Sequence, residues 1–130
     1  MAFPKDRKYT KDHEYVKAEG SQGVLGVTAF AAEHLGDIVF VELPSVGKVL
    51  KAKDVFATLE SVKAVSDSYT GVAGKVVKVN QKLNEEPSLI NKDPHGEGWI
   101  CVIEIANPAE LDALMDADTY DKYQAEAEVH

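Results

Sequence analysis

The sequence predicts a mostly β fold, a flattened barrel or sandwich hybrid of two related half-units with short flanking and C-terminal helices. Short runs of Val, Ile and Phe, separated by Gly, Pro, Asn and Asp, extend from residue 24 to residue 105, and such runs are typical of strands. Residues 36–41 and 74–79 share the pattern G-x-[IV]-V-x-V at a spacing of 38 residues. This two-copy repeat indicates two similar sets of strands; chance similarity between valine-rich strands is the alternative.

The length and charge of the chain fit one domain that does not bind nucleic acid. A chain of 130 residues and 14.1 kDa has room for a single core, which we expect within about 9–123, followed by an acidic tail. Lys and Arg number 14 against 22 Asp and Glu, a net charge of -8. That charge has the wrong sign for holding a polyphosphate.

A short helix is predicted within the strand-rich region. Thr28 can cap a helix over residues 29–35, and Gly36 can end it where a left-handed backbone is needed. The last turn of this helix carries His34.

Helices are also predicted near the carboxyl end. Asn107 as a cap, Pro108 at the first helical position and Glu110 at the third form a start signal. The helix should pack an apolar stripe on the sheet, made by Leu111, Leu114 and Met115. A last helix over 120–127 would leave a tail with little reason to be ordered. Residues 91–98 predict a loop that leads into the last strand, 99–105.

The sequence contains no recognisable catalytic or metal-binding constellation. It has no Gly-rich phosphate loop and no G-x-S-x-G elbow, and its single cysteine and four histidines lack metal-ligand spacing. We therefore expect neither an enzyme nor a metal protein. Cys101 and Trp99 lie in an apolar run, and we assign both to packing.

One lysine occupies the turn between two strand-like runs, residues 55–61 and 64–68. The turn should fall at Val62 and Lys63, which makes a β-hairpin with a lysine at its tip. A lysine in such a turn is usually a solvated surface residue. Only the surrounding sequence gives Lys63 a further meaning.

Several segments in order resemble the glycine cleavage system H-protein family, over roughly residues 9–123. Residues 60–67, Glu-Ser-Val-Lys-Ala-Val-Ser-Asp, are similar to the lipoyl-attachment segment of that family. The other matching segments are His13-Glu14 and residues 35–44, 74–80, 91–99 and 110–115. The chain departs from the family at Tyr15, where Trp is usual, in 69–74, which lacks Ser-Pro, and in 28–32, which lacks the usual Asp and Gln.

The resemblance implies a non-catalytic carrier with lipoic acid joined to Lys63 as an amide. In this family the aminomethyl group of glycine passes from glycine decarboxylase (P-protein) to the carrier and then to the aminomethyltransferase (T-protein). Dihydrolipoamide dehydrogenase (L-protein) reoxidises the carrier. A lipoate ligase or a lipoyl or octanoyl transferase is the expected modifying enzyme. Complexes with these partners should be transient, because a shuttle must leave one partner to reach the next.

Three further residues are candidates by the same resemblance, and a fourth, Glu60, by its closeness to Lys63. Glu14, His34 and Asp67 would line a cleft that holds the loaded arm, since a carboxylate and an imidazole suit an ammonium group. Glu60 is a candidate contact for the lipoylating enzyme. Each has a simpler alternative: Glu14 and Glu60 as surface acids, His34 as a partner of helix-terminal carbonyls, and Asp67 as the end of a strand.

Competing hypotheses stay open at this point. The chain could relay lipoate to other lipoyl domains, could be a small enzyme that uses Cys101 or the pair His34 and Glu14, or could be an unmodified relative. A biotin carrier fits less well, because that family flanks its lysine with methionines and Lys63 has Val62 and Ala64.

The predicted location is the cytoplasm, or the mitochondrial matrix if the chain is a processed eukaryotic protein. The charged amino terminus has no apolar signal segment, and the longest mostly apolar stretch, 23–32, is too short to span a bilayer. A single cysteine suits a reducing compartment. We expect a monomer without a membrane partner.

Overall fold

The computed structural model describes residues 3–129, with the backbone alone for 127–129. The strands are β1 Lys8–Tyr9, β2 Glu14–Glu19, β3 Gln22–Val27, β4 Ile38–Glu42, β5 Val49–Leu50, β6 Val55–Ser61, β7 Val65–Tyr69, β8 Gly74–Val79 and β9 Cys101–Ile105. The helices are α1 Ala29–Leu35, α2 Lys82–Glu85, α3 Leu89–Lys92 and α4 Ala117–Val129, with a 3-10 helix at Pro108–Ala113.

Two antiparallel sheets enclose one main core. The larger has the order β1-β2-β3-β9-β8-β5 and the smaller the order β4-β6-β7. Fully buried side chains from both sheets meet between them, among them Leu25, Leu59, Val76 and Ile103. The predicted mostly β sandwich with short helices is therefore confirmed.

The two copies of the repeated pattern take equivalent positions in the two sheets. Ile38 pairs with Ser61 in the smaller sheet, and Val76 pairs with Ile103 in the larger. In each copy the next residue, Val39 or Val77, is skipped by the pairing as a β-bulge. A bulge at the same position of both copies supports the prediction of two related half-units.

Helix α1 begins and ends at the predicted residues. Thr28 Oγ1 accepts a hydrogen bond from the Ala31 N–H at 3.2 Å, and Gly36 has φ 79° at the other end. The backbone N–H of Gly36 still donates to the Ala32 carbonyl at 3.2 Å. The chain thus turns sharply out of the helix into β4.

Strand β2 lies before the region in which the sequence predicted strands. Glu14, Tyr15 and Val16 are buried in succession, so the alternation that identifies a half-buried strand is missing. The Arg7 guanidinium covers the Tyr15 ring at 4.8 Å from its centroid, and the Tyr15 hydroxyl donates to the Pro94 carbonyl at 2.8 Å. Because both faces of the strand are covered there, its sequence does not alternate between buried and exposed residues.

The predicted helix after Asn107 is a 3-10 helix, and none of its residues is fully buried. The predicted cap is confirmed, because Asn107 Oδ1 accepts from the Ala109 N–H at 3.2 Å. Glu110 does not complete a capping box. Its carboxylate accepts from the Ala73 N–H at 2.9 Å and ties the segment to the loop before β8.

The apolar stripe predicted for that helix is also divided between two clusters. Leu111 and Leu114 pack against the main core while partly exposed, and Met115 packs against a second, aromatic cluster. Met115 and Tyr9 exchange backbone hydrogen bonds of 2.8 and 3.0 Å. This pairing draws the chain out of the helix, so a tertiary contact overrides the helical pattern.

Helix α4 is longer than predicted. It runs over Ala117–Val129 instead of 120–127, so the tail expected to lack order is helical up to Val129, and His130 lies outside the described residues. Tyr120 anchors this helix: its hydroxyl lies 2.8 Å from both His13 Nδ1 and Thr28 Oγ1, and its ring stacks on Tyr9 at 4.7 Å. Phe3, Tyr15, Phe30 and Ala117 complete this aromatic cluster.

Candidate functional site

Lys63 lies exposed at the tip of the β6–β7 hairpin, as predicted. The turn is closed by the Ser61 N–H, which donates to the Ala64 carbonyl at 2.8 Å. Ser61 Oγ accepts from the N–H groups of Lys63 and Ala64 at 3.3 and 3.0 Å. Since a serine hydroxyl that accepts from the following N–H groups fixes a turn, Ser61 holds the backbone that presents the lysine.

The turn is also tied to the start of β4. The Val62 N–H donates to the Asp37 carbonyl at 3.0 Å. Asn91 from α3 holds the residues on either side, because its Oδ1 accepts from the Ile38 N–H and its Nδ2 donates to the Gly36 carbonyl, both at 2.8 Å. The anchor of the lysine side chain is thus part of the folded framework.

Glu60 and Asp67 share the outward face of the smaller sheet. In the row nearest the tip, Phe40 and Val65 stand opposite Glu60 from the two neighbouring strands. In the next row Thr58 lies opposite Asp67, and its hydroxyl donates to Asp67 Oδ1 at 3.0 Å. Both candidate acids therefore lie on the strip that runs away from Lys63 along β7.

A cleft of about 620 Å³ lies at the far end of that strip. Its walls come from the 9–14 segment, from the turn at 52–53, from the carboxyl end of β7 and the residues after it, and from the 3-10 helix and the two residues that follow it. The lining residues include Tyr9, Thr10, Lys11, Asp12, Glu14, Lys53, Tyr69, Thr70, Glu110, Leu114 and Met115.

Glu14 is the buried acid of this cleft, with 3% of its surface exposed. One carboxylate oxygen accepts from the Thr10 hydroxyl at 2.5 Å, and the other accepts from the Tyr69 N–H at 3.0 Å. Burial raises the pKa of Glu14 to about 7, and the hydrogen bonds from Thr10 and Tyr69 oppose that rise. Near neutral pH, a cation in the cleft would favour the ionised form of this carboxyl group.

Lys63, Glu60 and Asp67 therefore share one strip of the surface, and the buried Glu14 lies beside the far end of that strip. Tyr69, whose N–H holds the Glu14 carboxylate, is two residues from Asp67 on β7, so their side chains point to the same face. The burial of Glu14 excludes the alternative of a simple surface acid. Asp67 is exposed and Glu60 is half-buried.

His34 lies apart from this strip. It is exposed, its Nδ1–H donates to the Phe30 carbonyl at 3.1 Å, and its ring lies tilted against the Phe30 ring, with centroids 4.1 Å apart. Phe30 in turn contacts His13, with ring centroids 4.5 Å apart. His34 is not among the residues that line the Glu14 cleft. The carbonyl that it binds belongs to Phe30, in the first turn of α1, so this bond does not satisfy a carbonyl at the end of the helix as the simpler alternative expected.

Sequence reasoning did not identify Ser61, Asn91, Thr10 or Tyr69 as parts of the site. Ser61 could have been found, because a serine two residues before a turn lysine is a turn signal. The other three act through tertiary contacts, which no local pattern reports.

Cys101 is fully buried within the main core, which confirms its assignment to packing. Burial raises the pKa of its thiol to about 12, so a thiolate nucleophile is disfavoured. Trp99 is only partly buried, and its ring lies 5.6 Å from the Lys78 ammonium. Trp99 therefore packs at the surface of the larger sheet rather than in the core.

Two structural features are absent from the described residues. No three His, Cys, Asp or Glu side chains in this part of the chain are grouped as metal ligands would be. No helix within it combines the length and the apolar character needed to cross a bilayer.

The fold and the hairpin define a class of protein. A β-sandwich of two similar halves that presents an anchored, exposed lysine at a hairpin tip is the architecture of domains that carry a prosthetic group on that lysine.

Comparison with known proteins narrows this class. The family model for the glycine cleavage H-protein matches residues 7–127. The chain is 55% identical to the glycine cleavage system H protein of Symbiobacterium thermophilum, over 95% of this chain and 96% of that protein. It is 52% identical to the protein of that name from Carboxydothermus hydrogenoformans, over 92% of each. The crystal structure of a glycine cleavage system H protein from Mycobacterium marinum superposes with a TM-score of 0.83, at 34% identity, and the match covers 97% of this chain and 99% of that one. The chain belongs to the glycine cleavage H-protein family.

Proposed function

We propose that this chain is the lipoyl carrier of a glycine cleavage system and that Lys63 is its attachment site. One observation carries the proposal: Lys63 is exposed at a turn held by Ser61 and by the Gly36–Ile38 backbone. A fixed anchor with a free amine suits a long swinging arm, because the arm can visit several enzymes while its base stays in place.

The residues around Lys63 fit a lipoyl group. Its amide-linked arm places the dithiolane about 14 Å from the lysine Cα. Strand β7 runs from Val65 to Tyr69, a span of about 13 Å at the usual rise per residue. Because Lys63 precedes this strand by two residues, an arm laid along the outward side of β7 would pass Val65 and reach Asp67, on the approach to Tyr69 and the Glu14 cleft.

Glu14 and Asp67 would hold the charged end of the loaded arm. When bound, lipoate supplies a reducible disulfide that takes up the aminomethyl group of glycine. The Glu14 carboxylate, already oriented by Thr10 and Tyr69, would accept a hydrogen bond from the ammonium group of this cargo. The walls of the cleft would limit the access of water to it. Asp67 would add a second negative charge on the approach. For His34 a role in holding the arm stays a prediction.

The chain's own groups would do no chemistry on the cargo. The buried Cys101 thiol and the separation of His34 from the Glu14 cleft argue against the small-enzyme hypothesis. We propose one carrier domain that works as a monomer with the P-, T- and L-proteins and a lipoylating enzyme. For the compartment we retain the cytoplasm, as the similar proteins named above are bacterial.

The decisive experiment tests Lys63 itself. The protein is incubated with lipoate, ATP and a lipoate ligase, and intact mass and a peptide map are recorded. We expect a single lipoyl increment on Lys63, no increment in Lys63→Arg, and an unchanged increment in Lys53→Arg, a matched lysine in another exposed turn. The lipoylated protein should then support glycine decarboxylase in a reconstituted system. No increment on the wild type, while a control acceptor is modified, would reject the carrier function.

A further inference from the structure

A three-residue turn over 11–13 joins β1 to β2 and shapes one wall of the Glu14 cleft. The Thr10 N–H donates to the Glu14 carbonyl at 2.9 Å, and the His13 N–H donates to the Thr10 carbonyl at 3.2 Å. His13 closes the turn with φ 70°. Hairpins with three-residue loops usually place glycine at this left-handed position, because a side chain strains the backbone there. A histidine at this position therefore needs contacts that hold it.

Helix α4 supplies those contacts. The Tyr120 hydroxyl lies 2.8 Å from His13 Nδ1, and the Tyr123 hydroxyl donates to the Lys11 carbonyl at 3.0 Å. Tyr120 is fully buried. The His13 ring also packs against Phe30 of α1, with ring centroids 4.5 Å apart. Both ends of the turn are thus attached to α4.

The backbone conformation of His13 decides where the next residue, Glu14, points. The Glu14 N–H donates to Thr10 Oγ1 at 3.1 Å, and its carboxylate accepts from the same hydroxyl and from the Tyr69 N–H. These bonds form only if the turn directs the Glu14 side chain into the cleft. A His13 that relaxed to a negative φ would rotate the chain that follows it and move the carboxylate away from these partners.

We infer that Tyr120 and Tyr123 are positioning residues of the Glu14 cleft and act through the left-handed backbone of His13. Neither tyrosine lines the cleft, so their effect on a bound ammonium group must pass through the turn. The last helix thereby helps to hold the cargo as well as to stabilise the fold. This inference rests on the role proposed above for Glu14 in receiving that group.

Hydrogen exchange in the unloaded protein tests the position of Glu14 directly, because the Tyr69 N–H donates to its carboxylate. Tyr120→Phe removes one hydroxyl group and should raise the exchange rate of this N–H about tenfold, and Tyr123→Phe about threefold. Tyr15→Phe is the matched control, since it loses a buried hydroxyl bond of 2.8 Å in the same aromatic cluster. It should leave the rate within about twofold of the wild type.

Amides on β8 and β9 report on the stability of the whole fold and are followed in the same experiment. In Tyr120→Phe the exchange rate of the Tyr69 N–H should rise more than theirs. An equal rise at the β8 and β9 amides would show a loss of global stability alone and would overturn the inference.

Substitutions at His13 test the route. Glycine adopts φ 70° without strain and alanine does not, so His13→Ala should raise the exchange rate of the Tyr69 N–H about fivefold more than His13→Gly. Added to His13→Gly, Tyr120→Phe should change the rate by no more than about twofold, because the partner of the hydroxyl is already gone. The same tenfold effect in both backgrounds would show that Tyr120 acts by another path and would overturn the inference.

A second measurement follows the cargo. Each variant is lipoylated and loaded from glycine by glycine decarboxylase, and the loss of the aminomethyl group is timed after the enzyme is removed. Tyr120→Phe should shorten the lifetime of the loaded form about threefold, and Tyr15→Phe should match the wild type. An unchanged lifetime in Tyr120→Phe, with a shortened one in Glu14→Gln, would overturn the inference.

Failure of the proposed function looks different. Glu14→Gln itself would then keep the wild-type lifetime of the loaded form, which would reject the role of the cleft in holding the cargo. The exchange rate of the Tyr69 N–H in the unloaded protein would still decide whether Tyr120 positions Glu14.

Discussion

The two halves of the sandwich share a framework and differ where they meet solvent. One unit consists of β4, β6 and β7, and the other of β8, β9 and β3. Leu59 on β6 and Cys101 on β9 are the central buried residues of the two units, and each stands opposite a valine of the bulged strand, Val41 or Val79. The buried positions of the two units therefore have the same arrangement.

The outward rows show the contrast. Phe40, Glu60 and Val65 form the row in the first unit, and Lys78, Val102 and Val24 form the equivalent row in the second. An acid at the centre of one row is replaced by a half-buried valine in the other.

The strand ends differ as well. Strand β6 stops at Ser61 and turns at once to expose Lys63, whereas β9 continues to Ile105, whose N–H donates to the Ser21 carbonyl at 2.9 Å. The second unit therefore has no exposed turn at the equivalent place. The comparison teaches that buried residues specify the repeated fold, while one early turn and a few outward residues specify the site.

The largest expected effect comes from exchanging the two central residues for alanine. Leu59→Ala should lower the free energy of unfolding by about 3–4 kcal/mol, because it removes a fully buried side chain and leaves a cavity. Cys101→Ala removes one sulfur atom and should cost about 1 kcal/mol. Urea denaturation at fixed pH measures both values. Equal losses of unfolding free energy in Leu59→Ala and Cys101→Ala would contradict the expectation that the larger buried side chain contributes more to stability.

The sequence predicted the parts of this plan that are local. The G-x-[IV]-V-x-V repeat, the caps at Thr28 and Asn107, and the hairpin turn at Lys63 each depend on residues close in sequence, and the structure has all of them. The bulges at Val39 and Val77 could not be predicted, because a bulge is defined by the partner strand.

The parts that the sequence missed depend on distant contacts. Strand β2 is buried on both faces, so its sequence lacks the alternation that identifies a strand. The segment after Asn107 is shaped by backbone hydrogen bonds between Met115 and Tyr9, which no local pattern predicts. The Glu14 cleft likewise requires the end of β7 to approach the amino-terminal segment. For Lys63 the residues predicted only a turn, and the resemblance to a family supplied its role.

A second effect separates the two units through pH. At the end of β7 the Tyr69 N–H donates to the Glu14 carboxylate. Just after β3 the Thr28 N–H donates to a backbone carbonyl, that of His13. Only the first contact titrates. Because burial raises the pKa of Glu14 to about 7 from 4.5, its contribution is fully present below about pH 4.5 and is lost as the pH rises through 7. The loss amounts to at most about 3 kcal/mol.

Glu14→Gln tests this prediction. We expect the variant to gain stability relative to the wild type as the pH rises from 5 to 8, as measured by urea denaturation at each pH. Burial lowers the pKa of His95 to about 4, so that residue destabilises the fold as the pH falls from about 6.5 towards 4. Since His95 is present in both proteins, its effect cancels. A difference between the two proteins that does not change with pH would contradict the assignment of the raised pKa.

The smallest effect concerns an asparagine that bridges backbone groups in each unit. Asn91 links Gly36 and Ile38 at the start of β4, and Asn80 donates to the carbonyls of Glu97 and Trp99, at 2.8 and 2.7 Å, just after β8. Asn91→Ala and Asn80→Ala should each cost about 2 kcal/mol of stability, since each loses two short hydrogen bonds, and Asn91 also loses a long one of 3.4 Å to the Ala32 carbonyl.

The two variants should differ in function, because only Asn91 supports the backbone that holds the Lys63 turn. We expect Asn91→Ala to slow lipoylation about threefold, well under 1 kcal/mol in free energy, and to speed hydrogen exchange at the Val62 N–H, whose acceptor is the Asp37 carbonyl. Asn80→Ala should change neither when both proteins are fully folded. Asn91→Asp keeps the acceptor for the Ile38 N–H and should give an intermediate rate. Equal lipoylation rates of Asn91→Ala and Asn80→Ala would mean that Ser61 alone fixes the turn. The contacts of Asn91 with Gly36 and Ile38 would then support β4 but not the Lys63 turn.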